Sequence, residues 1–82
     1  MRTHELKTLE RYWRRVEMGV KTFEIRKNDR DFQVGDMLRL VCVDDDGEEE
    51  DAALWLMKEV SYITDYEQKP GYVVMALVEP TR

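Results

Sequence analysis

The stretch Met37–Val43, Met-Leu-Arg-Leu-Val-Cys-Val, constrains the fold more than any other part of the chain. It reads as a strand that is apolar on nearly both faces, interrupted only by Arg39. Side chains alternate across a strand, so a strand of this kind needs apolar cover on both sides. A chain with little helix supplies that cover by curling its sheet into a closed or nearly closed barrel.

The flanking segments supply the rest of such a barrel. Thr3–Lys7 alternates and predicts a first strand, and Thr8 offers a hydroxyl at a helix N-cap. Leu9, Tyr12, Trp13, Val16 and Val20 then fall on one helical stripe. Gly19 stands where a helix ends in a left-handed residue, so the spacing predicts a helix over Leu9–Met18. Lys21–Arg26 predicts a second strand, and Asn28–Asp36 a loop closing on the turn signal Gly35-Asp36. Leu54–Ile63 and Tyr72–Val78 predict the fourth and fifth strands, with a turn at Lys69-Pro70-Gly71 before the last. Trp55 lies on the opposite strand face from Leu54 and Leu56, and alternation alone leaves open which face is exposed. Four strands after one helix do not make a doubly wound parallel sheet. The expected fold is therefore α+β, mainly β: one domain over residues 1–82, with about five strands and one main helix after the first. That helix covers an open end or seam through Trp13 and Tyr12.

Charge is unevenly distributed. The net charge is −5, yet residues 1–30 carry nine Lys or Arg against five acids, and residues 31–82 carry four against thirteen. A basic half with an acidic remainder suits local anion binding and argues against broad duplex binding, which needs many phosphate contacts. No run of about 18 apolar residues is present, the N-terminus has no apolar signal stretch, and the single cysteine, Cys42, permits no internal disulfide. The expectation is a cytoplasmic protein with no membrane partner and no cofactor. One histidine, His4, and one cysteine do not make a zinc site. The acidic run Asp44–Asp51 around Gly47 lacks the ligand spacing of a calcium loop and reads as a solvated hairpin.

The segment Lys21–Phe32, Lys-Thr-Phe-Glu-Ile-Arg-Lys-Asn-Asp-Arg-Asp-Phe, is where function is expected. On a strand, Phe23 and Ile25 face one way as apolar anchors, while Thr22, Glu24 and Arg26 face the other. Arg26 supplies a planar donor fork, and Glu24 accepts from a base amino or imino group. Strict alternation puts Lys21 on the Phe23 face, although its long stem can reach around an edge. An alternative is that Glu24 and Arg26 merely brace each other at the surface, a pairing that contributes about 0–1 kcal/mol. Trp13 or Tyr12 can stack on a base, but both sit on the helix stripe, where at least one is expected to pack in the core.

His4-Glu5-Leu6-Lys7, the run from Gly19 to Arg30 and then Val34-Gly35-Asp36 resemble the ASCH domains of the PUA-like superfamily. They are most similar to a small ASCH-like family frequent in bacteriophages and bacteria. Its signature, G-x-K-T-F-E-I-R-K-N-D-R-x-F-x-V-G-D, is met throughout, and Gly71-Tyr72-Val73-Val74 also fits. The resemblance implies a PUA-like pseudo-barrel with a cleft beside the helix, in the cytoplasm of a bacterial or phage-infected cell. It implies a ligand that is RNA, a nucleotide or a modified nucleoside. The cleft residues it carries over are Lys21, Glu24 and Arg26, with His4, Asn28, Asp29 and Arg30 as further members. One ASCH branch resembles an amidohydrolase acting on acylated cytidine, with a lysine, a threonine three residues later and a glutamate in a helical insertion. Here the third position is Glu24, and Ile63–Tyr72 is too short for that insertion. An enzyme would have to rely on Lys21 and Glu24, with Thr22 displaced from the nucleophile position. A protein partner bound through the acidic half is the remaining alternative.

Overall fold

The computed structural model describes residues 1–49 and 54–81. The elements run β1 (Thr3–Leu9), α1 (Glu10–Glu17), β2 (Phe23–Lys27), β3 (Met37–Val43), β4 (Trp55–Thr64) and β5 (Tyr72–Val78). Among the described residues the fold is α+β and mainly β, with one helix, which follows the first strand as the sequence implies. The five strands form a single mixed sheet in the order β1-β3-β4-β5-β2. Only β1 and β3 run parallel, in register from Thr3 opposite Met37 to Leu9 opposite Val43.

Strand β3 lies inside the sheet and is covered on both faces, as its composition requires. On the concave side Leu38, Leu40 and Cys42 join Leu6, Val60, Val73, Met75 and Leu77, and Trp13, Val16 and Phe32 pack against them. On the convex side Met37, Val41 and Val43 are also buried. There the Arg39 guanidinium lies over the Trp55 ring at 4.5 Å and pairs with Glu5 at 3.3 Å. Trp55 is therefore exposed, while its neighbours Leu54 and Leu56 pack against the core. A bulge between Val60 and Tyr62 shifts the register of β4 against β5, so that Val60 and Ile63 both serve the core.

The helix is shorter than its sequence stripe. Its buried side is Trp13, 1% exposed, and Val16, and the Trp13 indole N–H donates to the Leu40 carbonyl at 2.9 Å. Burying an aromatic of this size stabilises by about 4–6 kcal/mol on area alone. Tyr12 and Val20 are exposed instead, because Val20 follows the helix end and Tyr12 turns toward β2. The expected Thr8 cap is also corrected. Thr8 is still in β1, its hydroxyl donates to the Leu6 carbonyl at 3.4 Å, and Leu9 takes the cap position without a side-chain bond. At the other end Gly19 has φ +78°, and Gly19 N–H reaches the Val16 carbonyl while Val20 and Lys21 N–H both reach the Arg15 carbonyl. This is a Schellman ending, and it fixes the backbone of Lys21 directly after the helix.

The barrel expected from β3 does not close through backbone pairing. Strands β1 and β2 are the two edges of the sheet, and arginine side chains span the seam between them. Arg26 Nη2 donates to the Lys7 carbonyl at 3.0 Å and to Thr8 Oγ1 at 3.1 Å. Arg30 Nη1 donates to the Glu5 carbonyl at 2.6 Å. The β1 edge thus places its outward carbonyls against guanidinium groups, which also blocks edge-to-edge pairing with another strand.

Candidate functional site

The seam opens into a cleft of about 450 Å³. One wall is Lys7, Thr8, Leu9 and Tyr12, from the end of β1 and the start of α1; the other is Lys21 and Phe23–Arg26. The Schellman ending delivers Lys21 to the mouth of β2, and the pairing of Glu24 with Met75 and Arg26 with Val73 turns both side chains toward the concave side.

This orientation reverses the expected faces of β2. Phe23 and Ile25, the presumed anchors, are 41% and 51% exposed, while Glu24 is 3% exposed. Alternation does group Glu24 with Arg26, but the charged face is the inner one. A buried carboxylate is tolerated only when paired and hydrogen-bonded, and Glu24 meets both conditions. Lys21 Nζ donates to Glu24 Oε1 at 2.8 Å and to the Phe23 carbonyl at 2.6 Å, and Arg26 Nε donates to Glu24 Oε2 at 2.9 Å. Lys21 therefore reaches around the strand edge to the Glu24 side. The three side chains form one cluster with an excess positive charge, to which Lys7 lends its backbone carbonyl, its own ammonium being directed at the Gly47 carbonyl at 3.5 Å.

The other residues expected in the site fall elsewhere. His4 is buried 2.8 Å from Asp36, its ring set edge-on to Phe32 at a centroid distance of 4.8 Å. Asp36 also accepts from the backbone N–H groups of Arg2 and Gln33. Burial pushes the Asp36 carboxyl up, but His4 and the two backbone donors outweigh it and hold its pKa below the ordinary value. This pair ties β1 to the turn before β3. Asn28 Oδ1 accepts from Phe32 N–H at 2.9 Å and so shapes the loop, while Asp29 is exposed at its tip. Arg30 bridges the seam but does not line the cleft.

Sequence reasoning missed the contribution of β1. Lys7, Thr8 and Leu9 enter the cleft only because the sheet brings its two edges together, and nothing local marks them. The threonine lining the cleft is Thr8; Thr22 precedes β2 and is exposed. In the acidic segment, Asp44 Oδ1 accepts from the N–H groups of Asp46 and Glu48, forming a hairpin turn. Asp45 pairs with Arg11 at 3.4 Å across to the helix. Glu50 and Asp51 of that segment lie outside the described residues. No described helix is long and apolar enough to cross a membrane.

A family model described as a domain of unknown function (DUF3850) matches residues 3–77 of this chain. No curated protein matches it.

Proposed function

Because the chain belongs to the DUF3850 family, whose description assigns no activity, its chemistry must be read from the cleft, and we propose that it binds RNA or a nucleotide there. The observation that carries this reading is the Lys21–Glu24–Arg26 cluster at the floor of an open cleft. One buried carboxylate is held by two cations, each oxygen by a different one. Glu24 is spent on orientation: it aims the two cations and does not read a base edge itself.

Donor capacity remains for a ligand. A lysine ammonium has three hydrogens, of which Lys21 directs two at the Phe23 carbonyl and Glu24. Arg26 spends Nε and Nη2 on Glu24, Lys7 and Thr8, and its Nη1 has no protein acceptor among the described residues. These are groups suited to a phosphate or a base carbonyl. The resemblance to ASCH domains supports the same assignment, and a cleft of this size suits single-stranded or modified RNA better than duplex, whose base edges are hidden. Catalysis is not the reading adopted, since both oxygens of Glu24 are engaged in holding the two cations. The single, buried cysteine fits a reducing compartment, and we place the protein in the cytoplasm of a bacterial or phage-infected cell.

Fluorescence anisotropy with a short labelled single-stranded RNA tests this reading. Two cations meeting one or two phosphates predict a log–log salt slope of about −0.7 to −1.4. Arg26→Ala, checked for folding by circular dichroism, should weaken binding. Unchanged affinity in the folded variant would remove the cleft from consideration.

A further inference from the structure

Two exposed aromatic rings flank the cation cluster. Tyr12, on α1, is 43% exposed and Phe23, on β2, is 41% exposed, and both line the cleft. The Lys21 ammonium lies 5.8 Å from the Tyr12 ring centroid and 4.8 Å from that of Phe23. Neither ring is required by the core: Trp13 and Val16 provide the helix packing, and Met75 and Val73 face the inner side of β2. The Arg11 guanidinium lies 5.1 Å from the Tyr12 centroid, yet both rings remain half-exposed and so offer apolar face to a flat ligand.

The charge beside the rings selects among flat ligands. Aromatic walls alone would suit a quaternary ammonium, but Lys21 already occupies the cationic position between them and repels a second cation. Lys21 and Arg26 stand against the single carboxylate of Glu24, so the favoured partner is anionic or rich in acceptors. We propose that Tyr12 and Phe23 are base-stacking walls and that the cleft takes a planar nucleobase joined to an anionic group, the base against the rings and the anion on Lys21 and Arg26. This rests on the nucleotide-binding reading and narrows it to ligands that carry both parts. Stacking tolerates any base because every base has a π-face, so Tyr12 and Phe23 set affinity for the class and not for one sequence.

Heteronuclear NMR titration of the intact protein with adenosine 5′-monophosphate and, separately, ribose 5-phosphate distinguishes the two layers. The wild type should bind the nucleotide about tenfold more tightly than the sugar phosphate, the range expected of one stacked base. Phe23→Ala should bring that ratio close to one by weakening the nucleotide far more than ribose 5-phosphate, Tyr12→Ala should reduce it, and Phe23→Trp should preserve it. Both positions are exposed, so the fold is retained. If both alanine variants keep the wild-type ratio, stacking is refuted and the anion site stands. If the wild type binds neither probe, the inference and the reading beneath it fail together.

Discussion

Replacing Glu24 by glutamine isolates the energetic role of the buried carboxylate. The substitution keeps the shape, leaves a carbonyl oxygen for one cation, and turns an NH2 group toward the other. One of the bonds at 2.8 and 2.9 Å is therefore lost, and a donor faces a donor. Hydrogen bonds to charged groups contribute about 1.5–3 kcal/mol. A broken buried ion pair can cost about 3–5 kcal/mol when the stranded charge stays dry. Lys21 and Arg26 keep 16% and 26% side-chain exposure, so water reaches either one once it is released. The expected loss is accordingly near the lower figure, about 2 kcal/mol. With a urea dependence of about 1 kcal/mol/M for a domain of this size, the midpoint followed by tryptophan fluorescence should fall by about 2 M. A midpoint within about 0.3 M of wild type would show that the cluster is not held as described.

Other outcomes follow from separate parts of the molecule. Asp36 has a lowered folded-state pKa, so its contribution to stability is full above the unfolded carboxylate value of about 3.9 and is lost as pH falls through the folded value. The gap between wild-type and Asp36→Asn urea midpoints should thus be widest near neutrality and narrow below about pH 4; a constant gap would contradict the His4–Asp36 assignment. Gly19→Ala forces a Cβ into φ +78° and should cost about 1–2 kcal/mol, read as a lower thermal midpoint. Asp45→Ala breaks only an exposed pair with Arg11 and should leave the urea midpoint unmoved.

Local pattern made most of the elements legible. Met37–Val43 and Tyr72–Val78 occupy the bounds that their composition implies, and Gly19 ends the helix through its positive φ. Strand order was not legible, because β1 lies beside β3 and β2 beside β5 through contacts far apart in sequence. The same limit governs the site. Period-two alternation grouped Glu24 with Arg26, but hydrophobicity placed Phe23 and Ile25 inside. Two cations supplied to one carboxylate reversed that preference, and the ammonium of Lys21 had to come around the strand edge to complete them. The strand β1 contribution depends on sheet closure, and His4 was drawn away by Asp36, thirty-two positions along the chain.

The most direct test of the central claim is an amide chemical-shift map of the intact protein titrated with a short single-stranded RNA. The account predicts shifts concentrated at Lys7–Leu9, Tyr12 and Lys21–Arg26, the two walls of the seam. Shifts confined to the acidic turn around Asp44–Glu49, or none at millimolar ligand, would contradict it.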